Sequence, residues 1–122
     1  MDDLKLARLC SDAADKFWGR HNWKDDSGGA AIYSNHFNKQ VRRCLVDVHT
    51  VSPSKPTGET VESDQIFDAL DYDVLASQSL TEKSTGLNPE ILRASYTKGS
   101  RTVLGKEEIE RFLPWFKALM TQ

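Results

Sequence analysis

No stretch of this chain approaches the roughly 20 consecutive apolar residues that a helix needs to cross a bilayer. Histidine and cysteine are scarce, three and two in 122 residues. They form no C-x-x-C, no H-E-x-x-H and no His pair at helical separation, so the spacing that announces a zinc site is missing. Basic residues hold no majority either: 16 Lys and Arg stand against 18 Asp and Glu, for a formal charge of −2. Nucleic-acid binding needs a basic field that neutralises several phosphates. Here only Lys39, Arg42 and Arg43 cluster, which fits a solvated strand edge that resists aggregation. The start, Met1-Asp-Asp-Leu-Lys5, is acidic and polar and does not read as a signal peptide. These absences lead us to expect no metal, no cofactor, no nucleic-acid partner and no transmembrane segment. The compartment stays open: cytoplasmic as the chain stands, periplasmic or lipid-anchored if a signal segment precedes it.

What is present suits a single domain over residues 1–122. An apolar fraction of 39% and a charged fraction of 28% are ordinary for a globular protein, and a chain of this length can bury a core without metals or many disulfides. Two cysteines permit one disulfide without demanding it.

Leu6, Leu9, Cys10, Ala13, Ala14 and Phe17 recur at helical spacing and predict an amphipathic helix over Asp2–Trp18, with Gly19 as its terminator. Arg20–Gly29 reads as a loop whose Trp23 folds back onto apolar surface. Ala30–Phe37 and Val41–Val51 alternate and predict a hairpin reversing near Asn38-Lys-Gln40. Cys44, Val46 and Val48 share one face of the second strand, and Arg43, Asp47 and His49 the other, where Leu45 interrupts the pattern. Two prolines and a glycine make most of Val51–Thr60 a breaker. Ser63 can cap a short central helix through Leu70, striped by Ile66, Phe67 and Leu70. A strand over Val74–Leu80, a polar loop over Thr81–Asn88 and a second hairpin, Ile91–Thr97 with Arg101–Leu104, follow. Lys106–Met120 is the closing helix, where Pro114 implies a kink or a restart. The expected class is α+β: an antiparallel sheet of four or five strands, N- and C-terminal helices packed on it and a short central helix.

His36, Cys44, Asp47 and His49 are the residues to weigh for catalysis. A thiol nucleophile needs a base beside it, but Cys44 and His49 stand an odd number of residues apart and point to opposite faces of a regular strand. Asp47 and His49 do share a face, where the expectation is a surface ion pair. A metal would have to recruit His21, His36 and His49 with Asp25 or Asp26, which lack ligand spacing. Gly28-Gly29 is turn punctuation rather than a phosphate loop. Thr97-Lys-Gly-Ser-Arg101 is also a turn, although its cations could attract an anion. Trp18 and Trp115 each lie beside their helix's apolar stripe and mark an interaction surface if both are exposed.

Cys10-Ser-Asp-Ala-Ala-Asp-Lys-Phe17, Tyr33-Ser-Asn-His-Phe-Asn38 and Arg43-Cys44-Leu-Val46 together resemble a loose group of small bacterial proteins with no settled activity. That group pairs C-x-x-A-A-x-x-F with a later Y-x-x-H-[YF]-N and [KR]-C-[FL]-V, and its members look like exported or lipid-anchored proteins. The likeness covers about the first half of the chain, to Val51. It implies that Tyr33, His36 and Asn38 form a polar motif whose side chains satisfy loop backbone groups. It also implies that Cys10 and Cys44 are neighbours, able to form a disulfide in an oxidising compartment. It carries over no catalytic residue. The candidate polar site is therefore Tyr33, His36, Asn38, Asp47 and His49. The leading expectation is a non-enzymatic binding or interaction module for a protein or small-molecule partner. The alternatives are a small hydrolase-like enzyme using His36, Asp47 and His49, and an accessory structural subunit joined through the terminal helices.

Overall fold

The computed structural model describes residues 3–20, 30–54, 58–85 and 88–122. The fold is α+β. Helix α1 (Asp3–Arg20) is followed by strands β1 (Ala30–Asn38), β2 (Arg43–Ser54), β3 (Glu59–Asp68), β4 (Val74–Thr85), β5 (Asn88–Lys98) and β6 (Arg101–Thr102), and helix α2 (Lys106–Leu119) closes it. Each strand pairs antiparallel with the next, giving one six-stranded meander in sequence order. No described helix is long and apolar enough to cross a membrane.

Several expectations are corrected. Among the described residues the sheet has six strands rather than four or five. The central helix is absent: Ser63–Leu70 supplies most of β3, whose Ile66 and Phe67 point to opposite faces, both buried. An apolar pair that would share a helical stripe also suits a strand covered on both sides. The Pro-containing breaker is part of a hairpin, in which Pro53 of β2 stands opposite Thr60 of β3. Of the expected polar loop over Thr81–Asn88, Thr81–Thr85 belong to β4 and Asn88 begins β5, and the two strands pair there. Helix α1 runs through Gly19 to Arg20, and α2 continues past Pro114 without a restart. Asn38 ends β1, Arg43 begins β2, and the closing hairpin's last strand is only Arg101–Thr102. The residues His21, Trp23, Asp25, Asp26, Gly28 and Gly29 lie outside the described residues.

The helices occupy opposite faces. The even-numbered β2 side chains Cys44, Val46 and Val48 join Cys10, Ala13, Ala14 and Phe17 of α1 in one core, together with Phe67 and Ala69. Phe17 is fully buried, its ring 4.8 Å from that of Phe67 and 5.7 Å from that of Tyr72. Cys10 and Cys44 are joined by a disulfide with Cα atoms 5.0 Å apart, so strand parity and the expected neighbourhood of the two thiols both hold. The odd-numbered Leu45 belongs to the second core, with Ile66, Ala76, Val103, Phe112 and Leu119 beneath α2. The residue that broke the alternation thus marks a second covered face.

Two four-residue turns at one end of the sheet repeat a single device. The Asn38 side-chain carbonyl accepts the N–H groups of Gln40 (2.9 Å) and Val41 (3.1 Å). Asp68 does the same for Leu70 (2.8 Å) and Asp71 (3.0 Å). Each turn then closes through a left-handed residue that is not glycine, Arg42 (φ 55°) or Tyr72 (φ 64°). The side-chain bonds replace strand pairing for those amides, which lets the backbone accept a disfavoured conformation.

Candidate functional site

Strand register decides which of the predicted polar residues meet. His49 stands opposite Asp64 of β3, and Asp64 stands opposite Gln78 of β4, so the three side chains form a row on the α2 face. Asp47 joins them from the next position on its face, opposite Ile66. The His49 ring Nδ1 lies 2.9 Å from Oδ1 of Asp64. The surface pair of Asp47 and His49 is therefore corrected: the imidazole pairs with Asp64, and Asp47 lies against that same acid.

Asp47, Asp64 and Gln78 form one wall of a cleft of about 390 Å³. Ile66, Leu113, Phe116 and Met120 supply its apolar surface, and Lys117 also lines it. Burial pushes the Asp47 carboxyl up to about 7, and the neighbouring Asp64 charge and hydrogen bond push the same way against the smaller opposing effect of His49. Asp47 therefore keeps its proton to near neutral pH, because ionising beside Asp64 adds repulsion to desolvation. The second oxygen of Asp47, Oδ1, is buried without a hydrogen-bond partner. Lys117 is exposed and makes no ion pair with either acid among the described contacts.

The other predicted residues are distributed elsewhere. Tyr33 faces α1, where its hydroxyl donates to Asp15 at 2.6 Å and its ring stacks on Trp18 at 4.6 Å. His36 faces the α2 side but lines a separate hollow at the outer edge of β1, and its Nε2 is buried without a partner. Asn38 alone performs the backbone-satisfying role implied for Tyr33, His36 and Asn38: besides its turn bonds, its amide donates to the carbonyl of Leu119 at 2.8 Å, pinning the end of α2. Trp18 and Trp115 are half-buried on opposite faces and do not share a surface. Among the described residues no group of three or more His, Cys, Asp or Glu is arranged to hold a metal ion.

No protein-family model, curated protein or solved structure matches the chain. The cleft must therefore be read on its own chemistry. Sequence reading missed Asp64, Gln78 and Lys117. Asp64 lay in the stretch read as a helix, and only the β2–β3 register brings it to His49 and Asp47. The even-numbered run Glu62, Asp64, Ile66, Asp68 carried a strand signal of period two that the Ile66–Phe67 pair obscured.

Proposed function

We propose that this protein is a non-enzymatic binding module acting outside the cytoplasm, and that the cleft beneath α2 receives a lysine or arginine side chain of a partner protein. The observation that carries this reading is the placing of Asp47 beside Asp64 in the wall of an open cleft with apolar walls. Such a pair destabilises the free fold, and an arriving cation relieves both repulsion and the unsatisfied oxygen. Phe116 and Met120 offer surface for the aliphatic stem, as amphipathic cations bury their methylenes and keep the charged head on a polar partner. The extracytoplasmic setting draws support from the Cys10–Cys44 disulfide, since such bonds persist in oxidising compartments.

The hydrolase-like alternative has in its favour the Asp47 carboxyl, which titrates near neutral pH beside a second acid, because such a group can act as a general acid or base. It loses a member in His36, which does not line the cleft. Titration with n-butylamine and butylguanidine, followed by NMR at Asp47, Asp64 and Met120, tests the binding reading. Affinity should rise about tenfold between pH 6 and pH 8, as the cation ceases to compete with the Asp47 proton. Asp47→Asn should abolish that pH dependence. Unperturbed cleft signals in the wild-type chain would sink the proposal, and hydrolysis of peptide or ester substrates lost in Asp47→Asn would favour the enzyme.

A further inference from the structure

Lys98 and Arg101 flank the β5–β6 turn, and the fold brings them to the flank of α2 opposite the Asp47 cleft. There they meet Arg111 around a hollow of about 330 Å³ whose floor is Val103, Phe112 and Trp115. We propose that this hollow is a binding site for a small anion carrying an aromatic ring, an aryl phosphate or aryl carboxylate. The site is independent of the cation-binding reading.

Charge is the first argument. Among the described residues that line the hollow Glu108 is the only carboxylate, and Arg101 Nη1 lies 2.6 Å from its Oε1. The contact offsets the charge of that acid, whose Oε1 is buried without an aligned hydrogen bond, and a guanidinium has five donors, so Arg101 keeps others for a ligand. Arg111 approaches Glu107 only to 3.9 Å, with both side chains in water, so the guanidinium is held loosely. Lys98 places its ammonium 4.4 Å from the centre of the Trp115 ring. A cation–π contact at an exposed position is weak enough to yield to a full negative charge. Three cations from a turn and a helix thus converge with one acid among them. Guanidinium forks suit the planar, two-oxygen face of a carboxylate or phosphate.

The floor is the second argument. Trp115 is half-buried and braced by Phe112, with ring centres 5.8 Å apart, and Phe112 is in turn held by Tyr96 at 5.5 Å. An indole fixed in this way offers a flat surface on which a second ring can stack, and it costs little ordering when a ligand arrives. A bare anion would use the cations and leave that surface idle. The volume lies within the range of small-molecule sites.

The test is an NMR titration of the full chain with phenyl phosphate, benzoate and inorganic phosphate, following the Trp115 indole signal, which Trp115→Phe identifies. Phenyl phosphate or benzoate should move that signal and leave Trp18 still, with half-saturation below about 1 mM. The tighter of the two names the anionic group. Inorganic phosphate should bind at least about fivefold more weakly, the share owed to stacking. Lys98→Ala and Arg111→Ala, both at exposed positions, should each weaken phenyl phosphate about tenfold while the Trp18 signal confirms the fold. No movement of Trp115 up to about 10 mM of either aryl anion overturns the proposal. So does equal affinity for inorganic phosphate, or an unchanged affinity in the two variants.

Discussion

Helix α1 meets its face of the sheet through Cys10, Ala13, Ala14 and Phe17 and is covalently tied to it, whereas α2 meets the other face through Phe112, Trp115 and Phe116 without such a tie; hollows lie beside both helices. Small side chains let the α1 backbone approach β1 and β2 closely, while the aromatic rings hold α2 further from every strand. The face that stands off has room for a carboxyl pair on one side and a cationic, aromatic-floored cavity on the other. One sheet therefore carries a face fastened by a disulfide and a face held by aromatic packing.

Removing the covalent tie is the strongest way to break this comparison. The disulfide closes a loop spanning 34 residues, which in the chain-entropy account corresponds to about 3–4 kcal/mol. Urea unfolding of the Cys10→Ser, Cys44→Ser double variant should show a loss of that size, and reductant should reproduce it in the wild-type chain. A loss below about 1 kcal/mol would mean that α1 is held by packing alone.

The α1 face was also the more legible one. Cys10, Ala13, Ala14 and Phe17 on the helix and Cys44, Val46 and Val48 on the strand repeat at strict periods because they share one apolar core, although Leu9 of the expected stripe is 51% exposed. Parity alone placed Cys44 and His49 on opposite faces. The other face was read as solvent-facing because Asp47 and His49 dominate it, and Leu45 was treated as an irregularity although it is fully buried. Strands β4 and β5 escaped in part because their Ser, Thr and charged residues beyond the helices have no apolar face to announce them. Their pairing is a property of the sheet rather than of either segment. The same holds for the site: Asp64 is unremarkable in sequence and becomes informative only beside His49 and Asp47.

A substitution that adds volume should sharpen the contrast. Ala14 is fully buried against the sheet, so Ala14→Leu must displace α1 or its neighbours and should cost about 2–3 kcal/mol. Leu113, at the edge of the Asp47 cleft and 38% exposed, can be cut back with little lost contact. Leu113→Ala should cost less than about 1 kcal/mol. Comparable losses in the two variants, by denaturant midpoint at constant slope, would show that the faces are packed alike.

A further effect concerns charge and has the opposite sign. The folded chain holds the Asp47 carboxyl near 7, while the unfolded chain releases that proton near 3.9. Between those values the folded state binds more protons, so this group's contribution makes stability fall as pH rises from about 4 to about 7 and level off above. Asp47→Asn keeps the shape and removes the titration. With allowance for the partial exposure of Asp47, the variant should be more stable than the wild type by roughly 1–2 kcal/mol at pH 8, and the gap should close near pH 4. Ala14→Leu serves as the control, because no titrating group takes part in its clash and its cost should not depend on pH. If Asp47→Asn instead destabilises the chain at pH 8, the ionised carboxylate is satisfied within the fold. The cleft beneath α2 then has no unmet demand for a cation.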